Sequence, residues 1–205
     1  MNLDDIKKAK TSHNILDVIT NRWSPRSFAD KPVDTSDLAK LFEAARWAPS
    51  SFNEQPWSFI VANRELEETY NKLREILVPF NESWAKTAPV LALSVAKKHF
   101  DKNNNKNAHA RHDVGLATGN LLAQATELDL YVHQMAGFDS DKAIDLFNIP
   151  DDTHEPVTAF AFGYLGKPDQ LYGDLAKQEK NPRSRKQISD FVFTGNWNEK
   201  ADFLM

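Results

Sequence analysis

Arg22, Ser24 and Arg26 alternate in the string NRWSPRSF, so one short stretch offers two guanidinium forks and a hydroxyl. Arginine grips phosphate oxygens in bidentate fashion, and a hydroxyl between two forks adds a further donor. The set suits a phosphate. It also describes two surface arginines paired with acidic neighbours such as Asp17 or Asp30, and on these residues alone both readings stand. A second basic run, RSRK from Arg183 to Lys186, either closes the same phosphate site or forms a solvated turn.

A different chemistry is offered by APSSFNEQPW, Ala48 to Trp57, which sets serines, an asparagine and a glutamine between two prolines. Proline at both ends stiffens the backbone. Such a loop can present fixed hydrogen-bonding groups to a ligand with little ordering entropy lost on binding; the plainer alternative is a polar turn between a helix and a strand. His109 and His112 stand beside Asp113 and could share a metal, or they belong to a polar loop entering a helix whose dipole Asp113 serves. His133, in the apolar string YVHQM, reads as a hydrogen-bonded core histidine rather than a base.

Other chemistries are absent. No G-x-G-x-x-G follows a strand, and neither a P-loop nor a G-x-S-x-G elbow occurs. With no cysteine in 205 residues, disulfides, thiolate catalysis and cysteine-based metal centres are excluded.

Positioning these groups requires a scaffold, and hydrophobic periodicity outlines it. Ile15, Val18 and Ile19 have helical spacing that places Arg22 at the end of a core-facing stripe. VDTSDLAKLFEAARWAPS is the clearest helix, with Asp34 or Thr35 as cap, Leu38, Leu41, Phe42 and Ala45 as stripe, and Pro49 as stop. WSFIVA reads as a strand, RELEETYNKLREIL as a surface helix and PVLALSVA as a buried strand. The Asn-rich segment Lys97–Asp113 reads as a loop or mobile lid. VGLATGNLLAQATEL is apolar nearly all round and reads as a helix buried on all sides, with Gly115 and Gly119 permitting close approach. LYVHQM and PVTAFAFGYLG are two more strands, separated by a helix around SDKAIDLFNI. The tail from Ser184 carries many apolar residues beyond the last obvious core element and needs a surface to lie on, such as a second subunit.

The 41% apolar and 11% aromatic content can build a core, and the net charge of −4 has the wrong sign for general nucleic-acid binding. The N-terminus lacks a signal-peptide core and the longest apolar runs are too short for a bilayer, so a soluble, cytoplasmic protein without membrane partners is expected. With neither repeat nor boundary, one domain over residues 1–205 is expected, α+β or α/β in three layers with a sheet of four or five strands.

Four strings occur in order: NRWSPRSF, APSSFNEQPWSFIVA, HQMAGFD and RSRKQISDFVF. Together they resemble the nitroreductase family of FMN-dependent oxidoreductases, from about residue 12 to residue 198. The resemblance implies a three-layer α+β fold with a central, mostly antiparallel sheet. It implies a homodimer with FMN sites at the interface and a C-terminal extension on the partner subunit. It also implies a ping-pong hydride reaction: NADH or NADPH reduces the flavin and leaves, then a nitroaromatic, quinone or related acceptor takes the electrons.

Mapped onto this chain, Arg22, Ser24 and the Trp23 backbone would reach the phosphate and ribityl end, and Arg26 the pyrimidine edge. Pro49, Ser50, Ser51 and Asn53 would form the loop lent by the other subunit, and Asn81 a further contact at the pyrimidine edge. Gln134, Met135, Ala136 and Gly137 would pass the flavin N5, and Arg183 and Arg185 would clamp the phosphate. No catalytic side chain and no metal is implied. Phe52, Trp84 and Phe100 are candidates for the apolar walls. Alternatives are a non-catalytic FMN-binding or regulatory protein, and a dehalogenase or desaturase relative on the same fold. The chain departs from the family pattern where ELDLY replaces a glycine-containing LGL, and in Lys97–Asp113.

Overall fold

The computed structural model describes residues 3–204. Four strands carry the fold: β1 (Trp57–Asn63), β2 (Val90–Lys97), β3 (Tyr131–Met135) and β4 (His154–Gly163). They pair in the order β1-β2-β4-β3, every pair antiparallel. Val90 to Ala96 is buried throughout, which explains its unbroken apolar run: although antiparallel, the sheet is covered on both faces. Pro156 lies in the central strand β4, where it cannot donate to a ladder. The register shift between Ser94 and Val95 falls opposite it, so the sheet absorbs the proline as an irregularity.

One face is covered by α3 (Thr35–Arg46) and α6 (Ala110–Glu127). Leu41 and Ala45 meet Ala117, Leu121 and Ala125 there, over Val90, Ala92, Phe160 and Phe162. Asp34 starts α3 by accepting from the Ser36 amide at 2.7 Å. The other face is covered by α4 (Glu67–Glu75), α5 (Pro79–Ala85) and α7 (Ser140–Phe147), which bury Leu73, Trp84 and Ala143 against Leu91, Leu93 and Ala161. Asp139 caps α7 by accepting from the Lys142 amide, and Asn148 ends it with φ at 50°. Three short helices lie outside these layers: α1 (Leu3–Lys7), α2 (Asp17–Asn21) and α8 (Asp174–Glu179).

The expected three-layer α+β arrangement with an antiparallel sheet of four strands is thus found. Three local expectations need correction, and three short helices went unread. First, α2 is only one turn long, and of the stripe leading to Arg22 only Val18 is half-buried while Ile15 and Ile19 are 42% and 53% exposed, so the stripe does not face the core. Second, α6 is buried on one side only. A Cβ added at Gly115 or Gly119 would meet nothing within 4 Å, because in the single chain that face has no neighbour. Third, Lys97–Asp113 is a hydrogen-bonded excursion rather than a free lid. His99 bridges Lys106, the Phe100 amide donates to Asn105 O and the Asn107 amide to Lys98 O, and α6 already begins at Ala110. The unread helices α1, α5 and α8 carry no periodicity strong enough to read; Pro79 in the first turn starts α5.

Among the described residues, no helix is long and apolar enough to cross a membrane. Beyond α8 the tail forms only short turns and a Phe193–Lys200 bridge, with Phe191, Trp197 and Phe203 exposed.

Candidate functional site

Residues Arg22 to Ser27 form neither helix nor ladder, so side chains from elsewhere must hold their main chain. The Arg183 guanidinium donates to the carbonyls of Arg22 and Thr20. His133, on edge strand β3, bonds the Pro25 carbonyl through Nδ1 at 2.8 Å. The amides of Arg26 and Ser27 both donate to Oε1 of Glu179, at 2.7 and 3.0 Å. The Ser27 carbonyl accepts from the Gly166 amide. Among the described residues the amides of Trp23 and Ser24 meet no partner.

The side chains of this loop carry concentrated positive charge. Arg22 donates to Ser24 Oγ at 3.1 Å, and its pKa is lowered, first by burial and then by Arg185. Burial, followed by Arg22 and Arg185, likewise lowers Arg183. The Nε atoms of Arg26 and Arg183 are buried without a hydrogen-bond partner among the described residues. Asp17 and Asp30, the acids that could have neutralised the arginines, are engaged elsewhere, with Lys8 and Arg64. Half-buried cations that repel one another and meet no carboxylate are costly unless an anion completes the set. The surface ion-pair reading is therefore excluded, and the donor set fits a phosphate group, with the free Trp23 and Ser24 amides alongside.

Arg26 continues the site towards α5. Its guanidinium lies 5.9 Å from the Phe80 ring, and the adjacent Asn81 is buried and donates Nδ2 to the Gly137 carbonyl at 2.9 Å. The stretch Gln134–Gly137 runs off the end of β3 at this point, with Gln134 and Ala136 exposed and Met135 buried. A Cβ at Gly137 would stand 2.7 Å from Asn81 Nδ2 and 2.9 Å from Val78 Cγ2. Gly137→Ala is expected to break the Asn81 bond and destabilise the chain by about 1–3 kcal/mol, read by chemical denaturation.

His133 sits beneath this loop, its ring 4.5 Å from that of Trp84. The Pro25 carbonyl can only accept, so Nδ1 carries the proton. Burial is the chief cause of a pKa pushed down from 6.5 to about 4, with Arg26 and Arg22 adding to it. Between pH 6.5 and 4 the unfolded chain therefore takes a proton that the folded one refuses. The stability due to neutral His133, about 3 kcal/mol, is full above that window and lost as pH falls through it. Denaturation at about pH 7, above the window, and about pH 4.5, most of the way down it, should give a smaller loss for His133→Gln than for the wild type.

The proline-braced loop lies elsewhere. It leads into β1, at the opposite edge of the sheet from β3, and Pro49, Ser50 and Ser51 line a depression with His109, His112 and Asp113. Its backbone is strained: Phe52, Asn53 and Gln55 have φ of 53°, 56° and 51°. Ser50 Oγ accepts from the Gln55 amide, and buried Asp113 accepts from the Ser51 amide at 3.0 Å. Phe52 is 91% exposed and meets Phe100 edge to face at 5.7 Å. Trp84, by contrast, is buried in the core.

The chain thus brings Arg22, Trp23, Ser24, Arg26 and Arg183 together, with exposed Arg185 close enough to affect them, and joins Asn81 to Gly137. It keeps Pro49, Ser50, Ser51 and Asn53 apart from that group. Sequence reasoning missed Glu179 altogether and gave Asp113 a narrower role. Asp113 had one signal, since it stands four residues before Ala117 on the face that α6 buries; Glu179 had none.

An antiparallel sheet covered on both faces, with an arginine cluster at one edge whose donors fit an anion and a strained loop at the other, defines an α+β protein. The sequence profile of the nitroreductase family matches residues 19–164. The chain belongs to that family. It is 25% identical over 220 residues to the major NAD(P)H-flavin oxidoreductase of Aliivibrio fischeri, an alignment spanning 88% of this chain and 98% of that protein. A crystal structure of an oxidoreductase containing FMN superposes with a TM-score of 0.87 at 31% identity, covering 93% of this chain and 96% of the other. An iodotyrosine deiodinase of Haliscomenobacter hydrossis is 29% identical over 128 residues, 50% of this chain and 58% of that one.

Proposed function

We propose that the protein is an NAD(P)H-dependent FMN oxidoreductase, a homodimer with a single flavin-binding domain per chain. The observation that carries this reading is the group of arginines without a carboxylate, beside two amides without partners, in a chain of the nitroreductase family. Arg22, Ser24, Arg183, Arg185 and the Trp23 backbone would hold the phosphate and ribityl end. Arg26 and Asn81 would meet the pyrimidine edge, and Gln134 to Gly137 would pass N5. Pro49, Ser50, Ser51 and Asn53 would come from the partner, which accounts for their distance from the arginines within one chain. The open face of α6, the exposed Ile15, Leu16 and Ile19, and the apolar tail supply surface for that partner.

When bound, FMN supplies the hydride chemistry, accepting from NADH or NADPH and giving to a nitroaromatic, quinone or related acceptor. The chain's part is placement and charge. Arg26 would set a cation at the pyrimidine edge, which would favour the reduced form of a bound flavin. The strained, proline-braced loop holds its donors ready, so little ordering is lost on binding. Phe52 and Phe100 would wall the shared donor and acceptor face, admitting one molecule at a time and hence a ping-pong order. Trp84, buried in the core against His133, is no part of that wall.

The test is the visible spectrum of the purified protein under anaerobic NADH and then NADPH. A flavin band that bleaches with a donor and returns with a quinone or nitroaromatic supports the reading. A protein that stays colourless after FMN is added overturns it, and a bound flavin that no donor reduces points to a non-catalytic carrier. The deiodinase likeness favours a reductive dehalogenase as second reading, and turnover of a halogenated phenol in place of the nitroaromatic would select it.

A further inference from the structure

Two buried carboxylates outside the proposed flavin contacts are bonded to main-chain amides within them. Glu179, 2% exposed, takes the amides of Arg26 and Ser27 on one oxygen. Asp113, also 2% exposed, takes the Ser51 amide. Neither carboxylate forms an ion pair within 4.0 Å among the described residues; Glu179 is spent on backbone that no helix or strand supports, and Asp113 on the first amide of a single 3-10 turn, Ser51–Asn53, which leaves that amide unbonded. Glu179 is itself held in place. Lys7, buried at the start of the chain, donates to Gln178 O and Asn181 O on either side of it and lies 4.8 Å from the Trp23 ring.

We infer that Glu179 and Asp113 are positioning residues, one for each half of the flavin site: Glu179 fixes the arginine loop, and Asp113 fixes the loop lent to the partner. The inference rests on the proposed flavin reading. A carboxylate suits this task because it accepts several amides at once, and because main-chain donors leave the side chains of Arg26 and Ser51 free for a ligand. Each clamp acts within its own chain, yet the two halves it sets would meet across the dimer. The clamps of one flavin site therefore belong to different subunits.

The experiment titrates FMN into Glu179→Ala, Asp113→Ala and their conservative partners Glu179→Gln and Asp113→Asn. Each alanine variant is expected to bind FMN about 10-fold or more weakly, and the amide variants, which keep an acceptor, within about threefold of the wild type. A heterodimer of one Glu179→Ala subunit with one Asp113→Ala subunit should then recover one tight site per dimer, since one interface receives both intact clamps. Alanine variants that bind like the wild type, amide variants as weak as alanine, or a heterodimer without a tight site would each overturn the inference. Should the alanine variants not fold, amide hydrogen exchange on the wild-type protein decides. Arg26 and Ser27, which lie outside helices and ladders, and Ser51, whose amide the 3-10 turn Ser51–Asn53 leaves to Asp113, should be protected, and exchange at open-loop rates would refute the clamps. A wild-type protein that binds no FMN would instead overturn the flavin reading and leave the exchange result to judge the clamps alone.

Discussion

Arg22→Ala is expected to raise the FMN dissociation constant by about 10- to 100-fold, because a hydrogen bond to a charged group contributes on the order of 1.5–3 kcal/mol. The apoprotein should respond differently. Burial chiefly lowers the pKa of both Arg22 and Arg183, with Arg185 adding to it at Arg22 and Arg22 and Arg185 adding to it at Arg183, so removing Arg22 relieves a repulsion in the empty chain. The bonds from Arg183 run to the carbonyls of Arg22 and Thr20, which the variant keeps. The variant should therefore melt no lower than the wild type without FMN and lose most of the stabilisation that added FMN confers. Arg22→Lys keeps the charge but not the fork and should fall between the two. Fluorescence titration with a thermal melt checks both halves of the expectation. Unchanged FMN affinity in Arg22→Ala would remove the phosphate assignment.

Gly119→Arg is expected to yield a folded monomer that has lost FMN affinity by about 100-fold or more, the loss of several partner hydrogen bonds at about 0.5–1.5 kcal/mol each. Within the chain nothing stands within 4 Å of a Cβ at this position, and glycine inside a helix is unfavourable by about 1 kcal/mol against alanine, so α6 should not suffer. Across a closely packed pair of helices the same side chain would leave no room. Size-exclusion chromatography read at the flavin band tests the outcome. A monomer that retains stoichiometric FMN would show that one chain completes the site. Dilution of the wild type should release flavin along with the subunits, and by linkage added FMN should tighten the dimer.

Much of the fold was legible because its signals are local. β2 is an unbroken apolar run, α3 pairs an apolar stripe with Asp34 as cap, and α7 opens on Asp139 and closes at Asn148. The site was legible in part. Arginines at alternate positions announce an anion, but whether Asp17 and Asp30 neutralise them depends on where Lys8 and Arg64 fall. Short helices such as α5 and α8 span too few turns to carry a period, and packing rather than propensity stabilises them.

By itself, then, the sequence determined the strands, the longer helices and the kinds of chemical group available, all of which depend on neighbours within a few residues. Only the tertiary structure decided which side of α6 is covered, because an all-round apolar helix has no preferred face until another surface chooses one. It alone separated the proline-braced loop from the arginines, by setting β1 and β3 at opposite edges of the sheet. It alone joined Glu179 to the amides of Arg26 and Ser27, 153 and 152 residues away. A hydrogen bond across such a distance leaves no period, cap or spacing in the chain; it exists only once the sheet and its two helical layers have brought the ends together.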